Sequence, residues 1–188
     1  LYEWLFMKAL EKENLINLKV KYLDVVINGN SRGAYILQEQ ISEELIQNNN
    51  REDGPIIGLS HDLWIEEANK SDELDSIGLD DSLNGLEDSF WRAKIKPVQF
   101  SEEKIGTEQE AHLKKAIYLL ESFRDGSLKP SEVFDTDQLA KVMAIRAIIG
   151  SAEFDWMDTK FYYNPKTSLL EPISKEAHVD LTTNFEEH

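Results

Sequence analysis

Glu153, Asp155, Asp158 and Lys160 fall in one short segment and are interleaved with Phe154 and Trp156. Loop carboxylates of this kind usually cap a helix and face water. An aromatic neighbour changes that, because a ring packed into a core can hold the adjacent carboxylate in fixed, partly dry geometry, as proton transfer requires. A second acidic group follows about a dozen residues on: Glu171, Glu176, His178 and Asp180. Hard cations such as Mg²⁺ take oxygen ligands from one or two carboxylates and complete their shell with phosphate oxygens. Paired carboxylates also serve glycoside hydrolysis, and the residues by themselves leave both chemistries open.

Other chemistries find no support. Cysteine is absent, which removes thiol catalysis, thiolate metal sites and disulfides. His61, His112, His178 and His188 form no HExxH pattern, so zinc is poorly supported. Gly29 and Gly33 do not fit a phosphate-binding glycine loop, and no GxSxG marks a serine nucleophile.

The elements that must position these groups read as follows. Tyr2, Leu5, Phe6, Ala9 and Leu10 recur at helical spacing. Val20–Ile27 and Gly33–Gln38 are rich in β-branched and aromatic residues and are separated by Asn28-Gly29-Asn30-Ser31-Arg32, so they predict a hairpin. Residues 41–49 predict a short helix with Ser42 as its cap. Residues 51–110 hold 16 acidic side chains against 6 basic ones and read as an acidic insert of short helices, with Trp64, Phe90 and Trp91 as anchors. Leu113, Ala116, Ile117, Leu120 and Phe123 then make a helical stripe that ends near Asp125-Gly126. A helix capped by Asp135 or Thr136 and closed by Gly150 is apolar almost all round, which predicts a central position. Residues 161–163 and 169–173 predict two short strands joined by an Asn-Pro-Lys-Thr turn. Helices and strands are segregated, so the fold class is α+β: residues 1–50 form a helix, a hairpin and the segment after it, 51–110 the insert, and 111–188 a helical part with the last hairpin.

The chain has 188 residues, with 41% hydrophobic and 30% charged, enough apolar material for one domain or most of one. Its formal net charge of −16 argues against nucleic acid as a partner, since phosphate binding needs a positive field. No apolar run approaches the roughly 18 residues of a membrane span. The start, LYEWLFMKAL, reads as the middle of something and shows no signal-peptide pattern. A piece of a longer protein is therefore expected, with any localisation signal upstream; cell surface, secreted and cytoplasmic locations all stay open, as does the oligomeric state.

Two stretches together resemble the CotH (spore coat protein H) kinase family. Val25–Ile41, VVINGNSRGAYILQEQI, is similar to that family's apolar strand, NG turn, G-x-Y-x-L strand and glutamate. Asp137–Asp180 resembles its buried helix, acidic loop, aromatic strand and closing carboxylate, and with the first stretch the likeness covers roughly two thirds of the chain. The resemblance implies an atypical protein-kinase-like fold, with a hinge hairpin, a helical C-terminal lobe and most of the N-terminal lobe missing. It implies transfer of the γ-phosphoryl group of ATP, with Mg²⁺, to Ser or Thr of a protein substrate; the acidic insert would steer a basic, Ser-rich substrate toward it. Carried over by position, Gln38, Glu39 and Gln40 lie in the adenine-contacting segment. Asp155 lies where a catalytic carboxylate takes the hydroxyl proton. Lys160 falls five positions later, where protein kinases place a metal-binding Asn, and would contact phosphate instead. Glu176 stands at the metal-binding position, with Asp158 as a spare carboxylate. Other readings are a catalytically impaired relative that binds a nucleotide or a partner protein, and a surface- or spore-associated adhesion protein.

Overall fold

The computed structural model describes residues 2–63, 65–66, 90–150 and 156–175. Its elements in chain order are α1 (Tyr2–Lys12), β1 (Val20–Ile27), β2 (Asn30–Gln38), α2 (Glu43–Asn48), β3 (Ile56–Leu59), β4 (Ile95–Pro97), α3 (Glu108–Arg124), α4 (Pro130–Val133), α5 (Thr136–Ile149), β5 (Lys160–Asn164) and β6 (Leu169–Ile173). This is the α+β mixture that the sequence implies, with two antiparallel sheets: the β1–β2 ribbon and a four-stranded sheet in the order β4-β3-β5-β6.

The four-stranded sheet is covered on both faces, and the alternation of its side chains sorts the core into two layers. Ile56, Tyr162 and Ile173 pack with Phe6, Leu10, Leu45, Ile46 and Val142, under α1, α2 and α5. Ile57, Phe161 and Leu170, each an odd number of positions away on the same strand, face the other way, toward Leu113, Ala116, Leu120 and Phe134 of the α3–α4 side. The stripe predicted for α3 is the buried one, with Thr107 accepting a capping bond from Gln109 N–H. Asp135 caps α5 through Gln138 N–H, and Gly150 closes it in the left-handed conformation. Ser42 occupies the N-cap position of α2 but makes no capping bond.

Two expectations need correction. The 51–110 stretch does not contain only short helices: Gly-Pro-Ile-Ile-Gly-Leu supplies β3, the strand between β4 and β5, with all of its residues buried. A short strand covered on both faces shows no polar alternation, so its neighbours' acidity hid it. The other concerns α5, which is apolar all round but not enclosed: Leu139, Val142 and Arg146 are buried, whereas Met143, Ala144, Ala147 and Ile148 are exposed.

The β1–β2 ribbon stands apart in character. Asn28 and Gly29, both at positive φ, make its two-residue turn, and Gly33 at φ 81° accommodates a bulge where the register shifts between Val25 and Val26. Almost all of its residues are exposed, including Tyr22, Val26, Tyr35 and Leu37.

Candidate active site

Of the candidate residues, Lys160 lies at one end of the four-stranded sheet, with Asp158 in the turn before it. Lys160 opens β5 and is in register with Gly58 of β3 on one side and with Ile173, the last residue of β6, on the other. The segments that carry Asp155 and Glu176 therefore join the sheet at the same end. Asp155 and Glu176 themselves lie outside the described residues, as do Glu153, His178 and Asp180.

The residue after Asp155 is fixed in place. The Trp156 ring stacks on Phe123 at 5.4 Å between centroids and also meets Phe90, Phe134 and Phe161. A ring held by four others has little freedom, so the chain enters the turn at 156–158 from a rigid point. Thr159 is buried, and Lys160 Nζ returns to donate to Met157 O at 3.0 Å. The Lys160 stem crosses Gly58, where any side chain would collide with its Cδ. Asp158 points outward, its Oδ1 3.3 Å from His61 Nε2 at the end of β3. Beyond His61 the surface opens into a cleft of about 290 Å³ lined by Ser60, Asp62, Leu63, Glu66, Arg92 and Lys94.

Two bonds help to tie down the far side of this end. Arg146, buried near the C-terminus of α5, donates to Ser174 Oγ at 3.0 Å. Gln38, at the end of the ribbon, donates to Lys175 O at 3.1 Å, which brings the ribbon's base next to the segment leading to Glu176. Glu39 is engaged elsewhere: its carboxylate accepts Lys19 N–H and Asn48 Nδ2 and so joins the ribbon to α2. Gln40 is exposed.

Glu171, grouped in the sequence with the metal candidates, belongs to the interior. It is 1% exposed, and its two oxygens accept from Arg51 Nε at 2.9 Å and Asn164 Nδ2 at 2.6 Å. Arg51, which the sequence reading passed over, also donates to Asn49 O and Asn14 O. Tyr162 lies beside this pair and donates to Glu52 O; burial, reinforced by the Glu171 charge, pushes its phenol well above the usual tyrosine range. Arg51 and Glu171 thus form a structural hub beneath the sheet.

The described residues alone do not compose a Mg²⁺ site. Among them no three Asp, Glu or His side chains converge, and Asp158 is a single outward carboxylate facing an imidazole. Among them, too, no helix is long and apolar enough to cross a membrane. When the chain is compared with known proteins, the model of the family described as CotH kinase protein matches residues 5–174. No curated protein matches it.

Proposed function

Since the chain belongs to the CotH kinase protein family, we propose that it carries the hinge and C-terminal lobe of a protein-kinase-like fold and transfers the γ-phosphoryl group of ATP to Ser or Thr of a protein substrate. The observation that carries this reading is the register of Lys160 with Ile173, because it gives the segments bearing Asp155 and Glu176 a common end of the sheet. Phosphoryl transfer depends on positioning and charge stabilisation more than on covalent chemistry by the protein.

In this reading Asp155 orients the acceptor hydroxyl and takes its proton as the oxygen bonds to phosphorus, and ADP leaves. Trp156 supplies the rigid anchor for that carboxylate. Lys160, a cation that cannot ligate metal, neutralises charge on the transferring group. Gln38, next to Lys175 O, belongs to the segment beside the nucleotide. When bound, Mg²⁺ supplies further neutralisation of the phosphates, with Glu176 and Asp158 as the carboxylates available to it. The acidic 51–110 stretch favours a basic, Ser-rich substrate through charge attraction.

One observation favours a second reading. Lys160 Nζ is bonded to Met157 O and Asp158 faces His61, an arrangement compatible with a relative that binds nucleotide or a partner protein without turnover. The deciding experiment, made on the full-length protein, is transfer from γ-labelled ATP to a basic Ser-rich peptide, wild type against Asp155→Asn, with the thermal shift by ATP measured in parallel. Labelled peptide lost in the variant supports the kinase. A thermal shift without labelling selects the second reading, and neither signal overturns both.

A further inference from the structure

A separate cleft of about 230 Å³ lies between α1 and the entry to β1. Trp4 and Met7 from the helix, with Leu18 and Val20 from the approaching chain, give it an apolar floor; Met7 and Leu18 are buried and the other two half-buried. Its rim carries the exposed side chains of Lys8, Lys19 and Lys21 against the carboxylate of Glu11, with the Glu39 carboxylate close by on Lys19 N–H. Lys8 Nζ is 2.6 Å from Glu11 Oε2, so those two charges offset each other. Lys19 and Lys21 have no ion-pair partner among the described residues. Two cations without an ion-pair partner among the described residues, over an apolar floor, stand out on a chain whose net charge is −16.

Sites for whole small molecules span roughly 300–1,000 Å³, so this cleft is small for a nucleotide and suited to one large side chain. An apolar pocket rimmed by cations recognises an apolar anchor flanked by anions, the anchor giving affinity and the charges giving orientation and encounter rate. We propose that this cleft docks an acidic peptide segment of a partner protein, with one large apolar side chain seated over Trp4, Met7, Leu18 and Val20 and the flanking carboxylates on Lys19 and Lys21. The inference does not depend on phosphoryl transfer.

The test is fluorescence anisotropy of a fluorescein-labelled peptide that has leucine and phenylalanine between pairs of glutamates, added to the full chain. Saturable binding is expected, weakened about tenfold or more in Lys19→Glu/Lys21→Glu and several-fold between roughly 0.05 and 0.3 M salt. A peptide with serines at the two apolar positions should not bind. Both lysines are exposed, so the double variant should keep its melting midpoint, and it decides the matter even where Trp4→Ala fails to fold. An unchanged anisotropy, equal binding to the double variant, or equal binding of the serine peptide overturns the proposal. So does displacement of the peptide by ATP, which would make the cleft a nucleotide site.

Discussion

Lys160 and Gly58 sit opposite each other in the β5–β3 register, and the lysine stem occupies the space that a Cβ on Gly58 would need. Its ammonium can then reach Met157 O across the turn. The missing side chain at 58 is therefore a condition for the position of the one cation at the head of β5. The atoms in the way belong to a flexible side chain, so Gly58→Ala should displace Lys160 rather than break β3, at about 1 kcal/mol or less. Nucleotide-dependent activity in Gly58→Ala should fall as it does in Lys160→Ala, and the double variant should be no worse than either alone. If Lys160→Ala abolishes activity while Gly58→Ala leaves it intact, the two residues are not coupled in this way.

The Arg51–Glu171 pair makes a sharper demand on stability. The glutamate side chain is 2% exposed and the arginine 12%. Arg51→Met would leave a buried carboxylate without its cation, a loss of about 3–5 kcal/mol by urea denaturation. Arg51→Met/Glu171→Leu removes both charges and should recover much of that loss. A double variant less stable than Arg51→Met would mean that Glu171 stabilises through partners other than Arg51, Asn164 first among them.

How far these features can be read from residues alone depends on the distance over which each is encoded. Asn28-Gly29 announces its turn because two consecutive residues must take positive φ, and Asp135 and Gly150 announce the ends of α5 because caps are local chemistry. Trp156 is legible as an anchor because an aromatic ring beside loop carboxylates has few other uses. Arg51 carries no such signal. Its carboxylate partner is 120 positions away, and the residues around it look like an ordinary polar connection. Glu171 misleads for the same reason: in sequence it lies near other acids, but the strand turns it toward the core beside Tyr162. The outward face of α5 also escapes, since Met143 and Ile148 look like core residues wherever they point.

Acidification should loosen the start of α3. Glu110 accepts Lys114 Nζ at 2.5 Å and Gly106 N–H at 2.6 Å, and these, Lys114 first, hold its carboxyl below the ordinary glutamate value of 4.5. A folded-state value below the unfolded one means that the ionised form stabilises. Its contribution is complete above the unfolded value and disappears as pH falls through the folded one. Thermal melts of wild type and Glu110→Gln should therefore differ above the ordinary glutamate value and converge as the pH falls through the lowered folded-state one. A difference that persists unchanged at the lower pH would show that charge at this position is irrelevant.

The β1–β2 ribbon should be the first ordered part of the chain to open. Its strands are joined by hydrogen bonds along eight register pairs, yet Tyr22, Val26, Ile27, Tyr35, Ile36 and Leu37 stay exposed. Isolated two-stranded hairpins are at best marginally stable, because the entropy of ordering both strands is offset by little apolar burial. Here the base is held by Glu39 N–H to Lys19 O and by the Glu39 carboxylate on Lys19 N–H, so protection should decline from that base toward the Asn28-Gly29 turn. The β3–β5–β6 core, covered on both faces, should exchange only through much larger openings. Native-state hydrogen exchange followed by NMR gives the comparison directly. Amides of Leu23 to Ile27 should exchange at least about a hundredfold faster than those of Phe161 to Tyr163. Equal protection in the two sheets would mean that the ribbon is buried in solution by a contact that this chain alone does not display.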